Sequence, residues 1–338
     1  MKTVKLGHDR VNLVWSTDWH LSAVPPGRRG DDYEAAILGK LGFVRRIADK
    51  VCGVALCGGD AFHIKNPRHP ANSLGMLIRV LHVLRTFPTG MVYGTVGNHD
   101  LGYGERMDSL PSQPLGVLIA AGAYFNLSDE PVMLQSSSGS IRVVVESFPY
   151  DHAEGTLARI LASKRHPDAT HRVGIVHAYG EAGGGGMSWA EKTIGYDQVA
   201  EAGFDFMLWG HDHSRKETIE VGNTMHVHLG SLARAALDTD QADRIVACAV
   251  LSFSKQPLPD SGIRYREIHV PVKPLEEAFA AADKGVRTVG KSQEVKDFFA
   301  RMDEAVEGVE TSDPAEALRM LCPDDPKLLG LAKDLCGL

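Results

Sequence analysis

Few of the features that most readily place a protein are present in this chain. Five cysteines in 338 residues is an odd number, and no two of them stand as C-x-x-C. Disulfide scaffolds and zinc knots built on such pairs are therefore disfavoured, and Cys52, Cys57 and Cys248 read as buried free thiols of a reducing compartment. No apolar run reaches the length of a membrane span, and the first ten residues are charged and polar rather than signal-like. The expectation is a soluble, cytoplasmic protein with no membrane partner. A strong charge of one sign is also missing. Leu275–Leu338 holds 14 acidic and 8 basic residues, against 29 and 28 in residues 1–274, so the net charge of −7 belongs mainly to the C-terminal end. A nearly neutral body neither excludes nor advertises a polyanionic substrate, because bound divalent cations would offset several of its carboxylates.

What is present is an alternation of apolar runs and amphipathic stretches. Val11–Trp15 reads as a buried strand ending in Ser-Thr-Asp-Trp-His. Asp31/Asp32 then cap a helix whose apolar residues Ala36, Ile37, Leu41, Val44, Ile47 and Ala48 recur at three and four. Gly53–Cys57 is the next strand and ends in Gly-Gly-Asp. Ser73 caps a second helix through Leu77, Ile78, Leu81 and Leu84, stopped by Pro88. Met91–Val96 ends in Gly-Asn-His-Asp. This β-α-β-α-β order predicts a largely parallel, covered sheet. Further strands are expected at Ile141–Phe148, Arg172–Val176, Phe204–Trp209, Thr224–Leu229, Ile245–Phe253 and Ile263–Val270, several close enough to pair antiparallel, with a helix at Ala153–Arg165. Gly183–Gly186 reads as a mobile loop. Strand signals stop after Pro271, which divides the chain into a domain over 1–272 and an acidic helical tail over 273–338. In that tail Ser292–Val309 carries a Val295, Phe298, Phe299, Met302 stripe suited to a partner or dimer contact, and Asp313-Pro314 starts another helix.

Five expected strand ends deliver metal-ligand chemistry: Asp18-Trp19-His20, Gly58-Gly59-Asp60, Gly97-Asn98-His99-Asp100, His177, and Gly210-His211-Asp212-His213. Asn, His and Asp are poor at continuing a strand and costly to bury without partners. Ligand sites in α/β sheets gather at the carboxyl ends of strands, so these segments can meet in one pocket. Asp18, His20, Asp60, Asn98, His177, His211 and His213 are too many donors for one tetrahedral zinc and suit two adjacent cations sharing a carboxylate. Their mixed carboxylate, imidazole and amide character favours Mn²⁺, with Fe or Zn as alternatives, over Mg or Ca. Two such ions can hold a bridging hydroxide and stabilise charge on phosphoryl oxygens during in-line attack.

The ordered set D-x-H, GGD, GNHD, a lone His after a strand, and GHDH resembles the calcineurin-like metallophosphoesterase superfamily over residues 11 to 235. The resemblance implies an α/β fold, a two-layer mixed β-sheet sandwich flanked by helices, with a two-metal site at its edge. It implies that Asp18, His20 and His213 hold one ion, that Asn98, His177 and His211 hold the other, and that Asp60 bridges. It makes His99 the acid that protonates the leaving oxygen, with Asp100 as its orienter. A finer similarity, in Asp60-Ala61-Phe62-His63 with Asn66-Pro67 and in His211-Asp212-His213 followed by Gly230-Ser231-Leu232, is to DNA-repair nucleases of the SbcD type. That similarity implies that His63 faces the scissile phosphate. It also implies a DNA substrate, exo- or endonucleolytic cleavage, a homodimer, and an SbcC-type ABC ATPase as partner in a bacterial or phage-infected cell. The family's β-rich DNA-capping domain has no counterpart in the tail.

Two rival readings stand beside the nuclease. One is a phosphoesterase of the same fold acting on a cyclic nucleotide, another nucleotide or a phosphoprotein; the other is an inactive scaffold that binds DNA or an ATPase. A lone histidine near a strand is usually structural, and that reading holds for His69, His82, His152, His166, His226, His228 and His269. Solvated loop charge is the default for Arg28-Arg29, Lys65, Arg68, Arg215-Lys216 and Arg234, although as a group they could grip phosphates.

Overall fold

Six of the seven residues of the strand Arg10–Ser16 are buried, so both of its faces must be covered. The computed structural model, which describes residues 1–183, 187–188, 191–235, 244–255 and 262–279, shows how. Arg10–Ser16 lies inside a six-stranded sheet in the order Ile263–His269, Ala247–Ser254, Arg10–Ser16, Val54–Cys57, Val92–Gly94, Tyr124–Asn126. Val11, Leu13 and Trp15 point to one side, into a core shared with Val143, Val145, Val173, Ile175, Phe206 and Leu208 of a second sheet. Val14 points to the other side, where Ile37, Leu41 and Val44 of the helix Tyr33–Val51 and Met76, Val80 and Leu84 of the helix Leu74–Arg85 cover the sheet. This alternation follows from the two-residue period of a strand.

The second sheet has seven strands in the order Lys2–Lys5, Val132–Gln135, Arg142–Phe148, His171–His177, Phe206–Gly210, Thr224–Val227, Ile219–Val221. Its outer face is covered by the helices Ala153–Ala162 and Tyr196–Ala200 through Phe148, Ile160, Val176, Tyr196, Val199, Met207 and Trp209. The fold is therefore a mixed two-sheet sandwich with helices on both outer faces. The β-α-β-α-β segment is parallel as expected, and Ala247–Ser254 runs antiparallel to both Arg10–Ser16 and Ile263–His269. Among the described residues, no helix is long and apolar enough to cross a membrane.

Three differences from the sequence expectations have physical causes. The charged Lys2–Lys5 is a strand, at the edge of the second sheet where exposed lysines are tolerated. The segments Pro114–Ala120, Tyr124–Asn126, Val132–Gln135 and Ile219–Val221 are too short to show a period, yet form a helix and three strands: Tyr124–Asn126 and Ile219–Val221 add to the sheet edges, and Val132–Gln135 pairs with a strand on each side. Past the last expected strand the described chain still packs on the body: Ala278 and Phe279 are buried, and the Gly30 N–H donates to the Ala278 carbonyl at 3.1 Å. Residues 184–186 of the glycine loop and the tail helices with their Phe298/Phe299 stripe lie outside the described residues.

Candidate metal centre

The strand ends are drawn together by their own backbone. The Gly58 N–H donates to the Ser16 carbonyl, that of Asp18 to Gly59, and that of His20 to Asp60, which zips the first two motifs side by side. Leu232 N–H donates to Thr17 and Ala233 N–H to Asp18, docking the turn after Thr224–Val227 on the same segment. The contact is closest at Gly97, where an added Cβ would overlap Asp60 Oδ1 and stand 2.7 Å from His177 Cε1. Four of the expected ligands adopt left-handed backbone: Asp18 (φ +51°), His20 (+45°), Asp60 (+48°) and His211 (+87°). Such angles are unfavourable for residues with a Cβ and persist where surrounding structure over-determines them, as at functional sites.

The donors fall into two groups. Asp18, His20, Asp60 and His213 form one; Asp60, His177 and His211 form the other, so Asp60 is common to both. Its Oδ2 lies 3.8 Å from His20 Nε2 and its Oδ1 lies 3.3 Å from His177 Nε2. Asn98 Oδ1 stands 3.3 Å from His177 Nε2, on the side of the second group. His20 Nε2 and His213 Nε2 face each other at 2.7 Å. The Asp60 carboxylate also accepts the His99 backbone N–H at 2.8 Å, and Asp18 accepts the His211 N–H at 3.1 Å and the Thr17 hydroxyl at 2.5 Å.

Asp18, His20, Asp60 and His177 are all buried. Burial drives the Asp18 pKa up to about 7, assisted by the Asp60 charge and opposed by His177. Burial acts in the same direction on Asp60, but His177, His99 and His20 outweigh it and hold this carboxyl well below its ordinary range. Burial favours neutral His177, yet Asp60 raises it to about 9; burial and the neighbouring His213 hold His20 well below its usual value. Two buried carboxylates among several imidazoles is costly on its own and is relieved by cations between them. The donor set fits two divalent ions. His177 Nδ1–H donates to the Gly58 carbonyl at 2.7 Å, so Nε2, turned toward Asp60 and Asn98, is the nitrogen that would give up its proton to hold an ion.

The remaining expected residues sit beside this cluster. His99 Nδ1 meets the His63 backbone carbonyl at 2.6 Å, and the His63 and His99 rings are stacked with centroids 5.9 Å apart. The His63 side chain turns its Nδ1 to within 3.4 Å of His20 Nδ1. Asp100 does not touch His99: its oxygens accept the Gly97 N–H at 3.0 Å and the Phe62 N–H at 3.2 Å. The orientation expected of Asp100 comes instead from the His63 carbonyl, and Asp100 ties the second and third motif loops together.

Sequence reading missed two features. Tyr150 and Tyr179 stand against His211, with ring centroids 5.3 and 4.4 Å away. Arg244, far from any motif, donates to the carbonyls of His213 (2.9 Å), Ser231 (2.6 Å) and Ala233 (2.5 Å), clamping the His213 loop to the turn that follows Thr224–Val227. Their signal is proximity to the motifs in space, which one-dimensional spacing does not convey. Several basic residues near the motifs are committed to carboxylates: Lys65 to Glu105, Arg215 to Glu267, Lys216 to Asp212 and Arg29 to Asp31. His226 and His228 are buried in the body. A large concavity, about 1550 Å³, opens at the opposite ends of the strands, beside Arg10, Lys50 and Arg264, and holds none of the donors.

No protein-family model matches this chain, and no curated protein matches it by sequence. Among solved structures it is similar to a 5'-nucleotidase precursor from Thermus thermophilus, at 12% identity and a TM-score of 0.41 over 77% of this chain. It is also similar to the NAD nucleotidase NadN from Haemophilus influenzae, at 14% identity and a TM-score of 0.38 over 96% of this chain. The chain spans 54% and 60% of the lengths of those two proteins. The sandwich, with its donors at the strand ends, is the architecture that the motif resemblance to calcineurin-like metallophosphoesterases implies.

Proposed function

We propose that this chain is a hydrolase of phosphate esters working with two divalent cations. The supporting observation is the convergence of Asp18, His20, His213, His177 and His211 into two donor groups that share Asp60. Asp18, His20 and His213 would hold one ion, Asn98, His177 and His211 the other, with Asp60 between them. Such a pair supplies Lewis-acid activation of water and stabilisation of charge on phosphoryl oxygens. The protein's own part is geometric and protonic. The Gly58 carbonyl fixes the tautomer of His177. The His63 carbonyl accepts a hydrogen bond from His99 Nδ1–H, so in the imidazolium form it is the Nε2 proton that would pass to the departing oxygen.

The substrate we infer is a small phosphate ester of the nucleotide class. A surface that grips nucleic acid needs cations free to neutralise successive phosphates. Lys65, Arg215, Lys216 and Arg29 are instead held by carboxylates of this chain. Tyr150 and Tyr179 beside His211 offer aromatic surface suited to a base. DNA is the second reading, favoured by the Asp60–His63 and Gly230–Leu232 motifs.

The test is a substrate panel with Mn²⁺: bis-p-nitrophenyl phosphate, nucleoside monophosphates, cyclic nucleotides, and end-labelled single- and double-stranded DNA, each with wild type and His99→Ala. Turnover of small esters with DNA left whole is expected. DNA cleavage lost in the variant would move the assignment to a nuclease. Absence of both metal binding and turnover would leave the scaffold reading.

A further inference from the structure

Behind the turn 231–234 lies a second concentration of charge, mostly cationic among the described residues. Arg29, Lys40 and Arg234 are 8%, 7% and 6% exposed, and with Lys273, Ala36, Pro271, Val272 and Ala278 they line a partly open cavity of about 90 Å³. Buried charge is costly unless it is paired and hydrogen-bonded. Among the described residues, the ion pairs of Arg29 and Lys273 are both with Asp31, at 2.8 Å and 3.4 Å. Lys40, which carries three N–H donors, makes one hydrogen bond among them, to the Leu232 carbonyl at 2.8 Å. Burial, and then the guanidiniums of Arg29, Arg244 and Arg234, push the Lys40 pKa down to about 7. Among the described residues, Asp31 is thus the one carboxylate paired with Arg29, Lys40 or Lys273, and it leaves Lys40 without a counter-ion.

We propose that this cavity binds a tetrahedral oxyanion, with inorganic phosphate as the probe. The size decides the class. A cavity of 90 Å³ has room for a single small ion, and sites for drug-sized ligands begin at about 300 Å³. Its donors are rigid: Arg29 is held by Asp31 and by the Arg234 carbonyl (2.7 Å), and Lys40 by Leu232. The site is separate from the metal centre but shares a wall with it. The turn's Leu232 and Ala233 N–H groups bond Thr17 and Asp18, while its Leu232 and Arg234 carbonyls face the cations. A bound oxyanion would thus back the segment that presents Asp18. This inference does not depend on the reaction proposed above.

Equilibrium dialysis of radiolabelled phosphate against the metal-loaded full chain tests it, comparing wild type with Lys40→Met and with Ala36→Glu, which would place a carboxylate in the cavity. The expected result is one fewer phosphate bound per chain in each variant, or at least a tenfold weaker affinity for one class of site, with metal content and esterase turnover retained. AMP, too large for the cavity, should not displace this phosphate; if it does, the oxyanion is the phosphoryl group of a larger ligand and the free-ion assignment fails. Equal phosphate binding by wild type and both variants would overturn the proposal. If Lys40→Met does not fold, Ala36→Glu carries the comparison alone. If the metal centre proves not to bind phosphate, the wild-type increment over the variants is still required.

Discussion

Replacing His99 with alanine should separate acid catalysis from metal binding. What keeps the cluster in place at this position is main chain: the His99 N–H donates to Asp60 Oδ1 at 2.8 Å, and that bond survives the substitution. What is lost is the imidazole, whose Nδ1 is held by the His63 carbonyl at 2.6 Å. General acid catalysis by a positioned side chain is worth roughly 10²–10⁴ in rate, or about 3–5 kcal/mol of barrier. The loss should depend on the leaving group. An alkoxide, such as the ribose oxygen of a nucleotide, needs the proton and should suffer the full factor. p-Nitrophenolate leaves well as an anion, so bis-p-nitrophenyl phosphate should slow by no more than about tenfold. Stability should fall by about 1 kcal/mol as the His63 carbonyl loses a donor and takes water from the cleft. The assay is kcat for both substrate types, with metal content by mass spectrometry and Tm by calorimetry. Equal rate losses for good and poor leaving groups, or departure of an ion, would refute the role given to His99.

Asp60→Asn should bring metal content from two ions per chain to below one, because the two carboxylate oxygens face different donor groups; selective loss of one ion would contradict a shared ligand. Gly97→Ala should abolish metal binding while the cores persist, since the new methyl overlaps Asp60 Oδ1 and crowds His177; near-ultraviolet circular dichroism and a Mn²⁺ titration would read both. Arg244→Ala should cost about 2 kcal/mol, since each buried carbonyl left without its donor costs ~1–3 kcal/mol and His213 keeps the Ser231 N–H. It should also weaken the ion at His213 about tenfold, and Arg244→Lys should rescue it only in part, because an ammonium lacks the planar fork that reaches three carbonyls. Lys40 supplies a pH signature in phosphate-free buffer. Its pKa falls from 10.5 to about 7 on folding, so between these values the unfolded chain binds the extra proton and stability rises with pH. Below pH 7 both states are protonated and the full burial cost applies. Wild type should therefore gain stability across pH 7 to 10 relative to Lys40→Met, with an upper bound on the order of 4 kcal/mol; parallel unfolding curves for the two proteins would exclude a buried, charge-starved lysine.

Periodicity alone dictates the parallel β-α-β-α-β segment, because the helices over 33–51 and 74–85 and the apolar runs between them repeat without ambiguity. Residue chemistry alone marks the candidate donors, because side chains such as Asp18, Asp60 and His177 have no reason to end buried strands except chemistry. Contacts distant in sequence leave no such signal. That Asp60 faces both donor groups, that a backbone carbonyl rather than Asp100 orients His99, and that Arg244 clamps the His213 loop are all matters of packing between segments up to two hundred residues apart. Likewise Arg29 reads as an ordinary loop cation, and nothing singles out Lys40, until the sandwich closes over them and takes them out of water. Period and local chemistry are properties of neighbouring residues and can be read along a chain; dielectric, close approach and the sharing of a ligand exist only once the chain has folded.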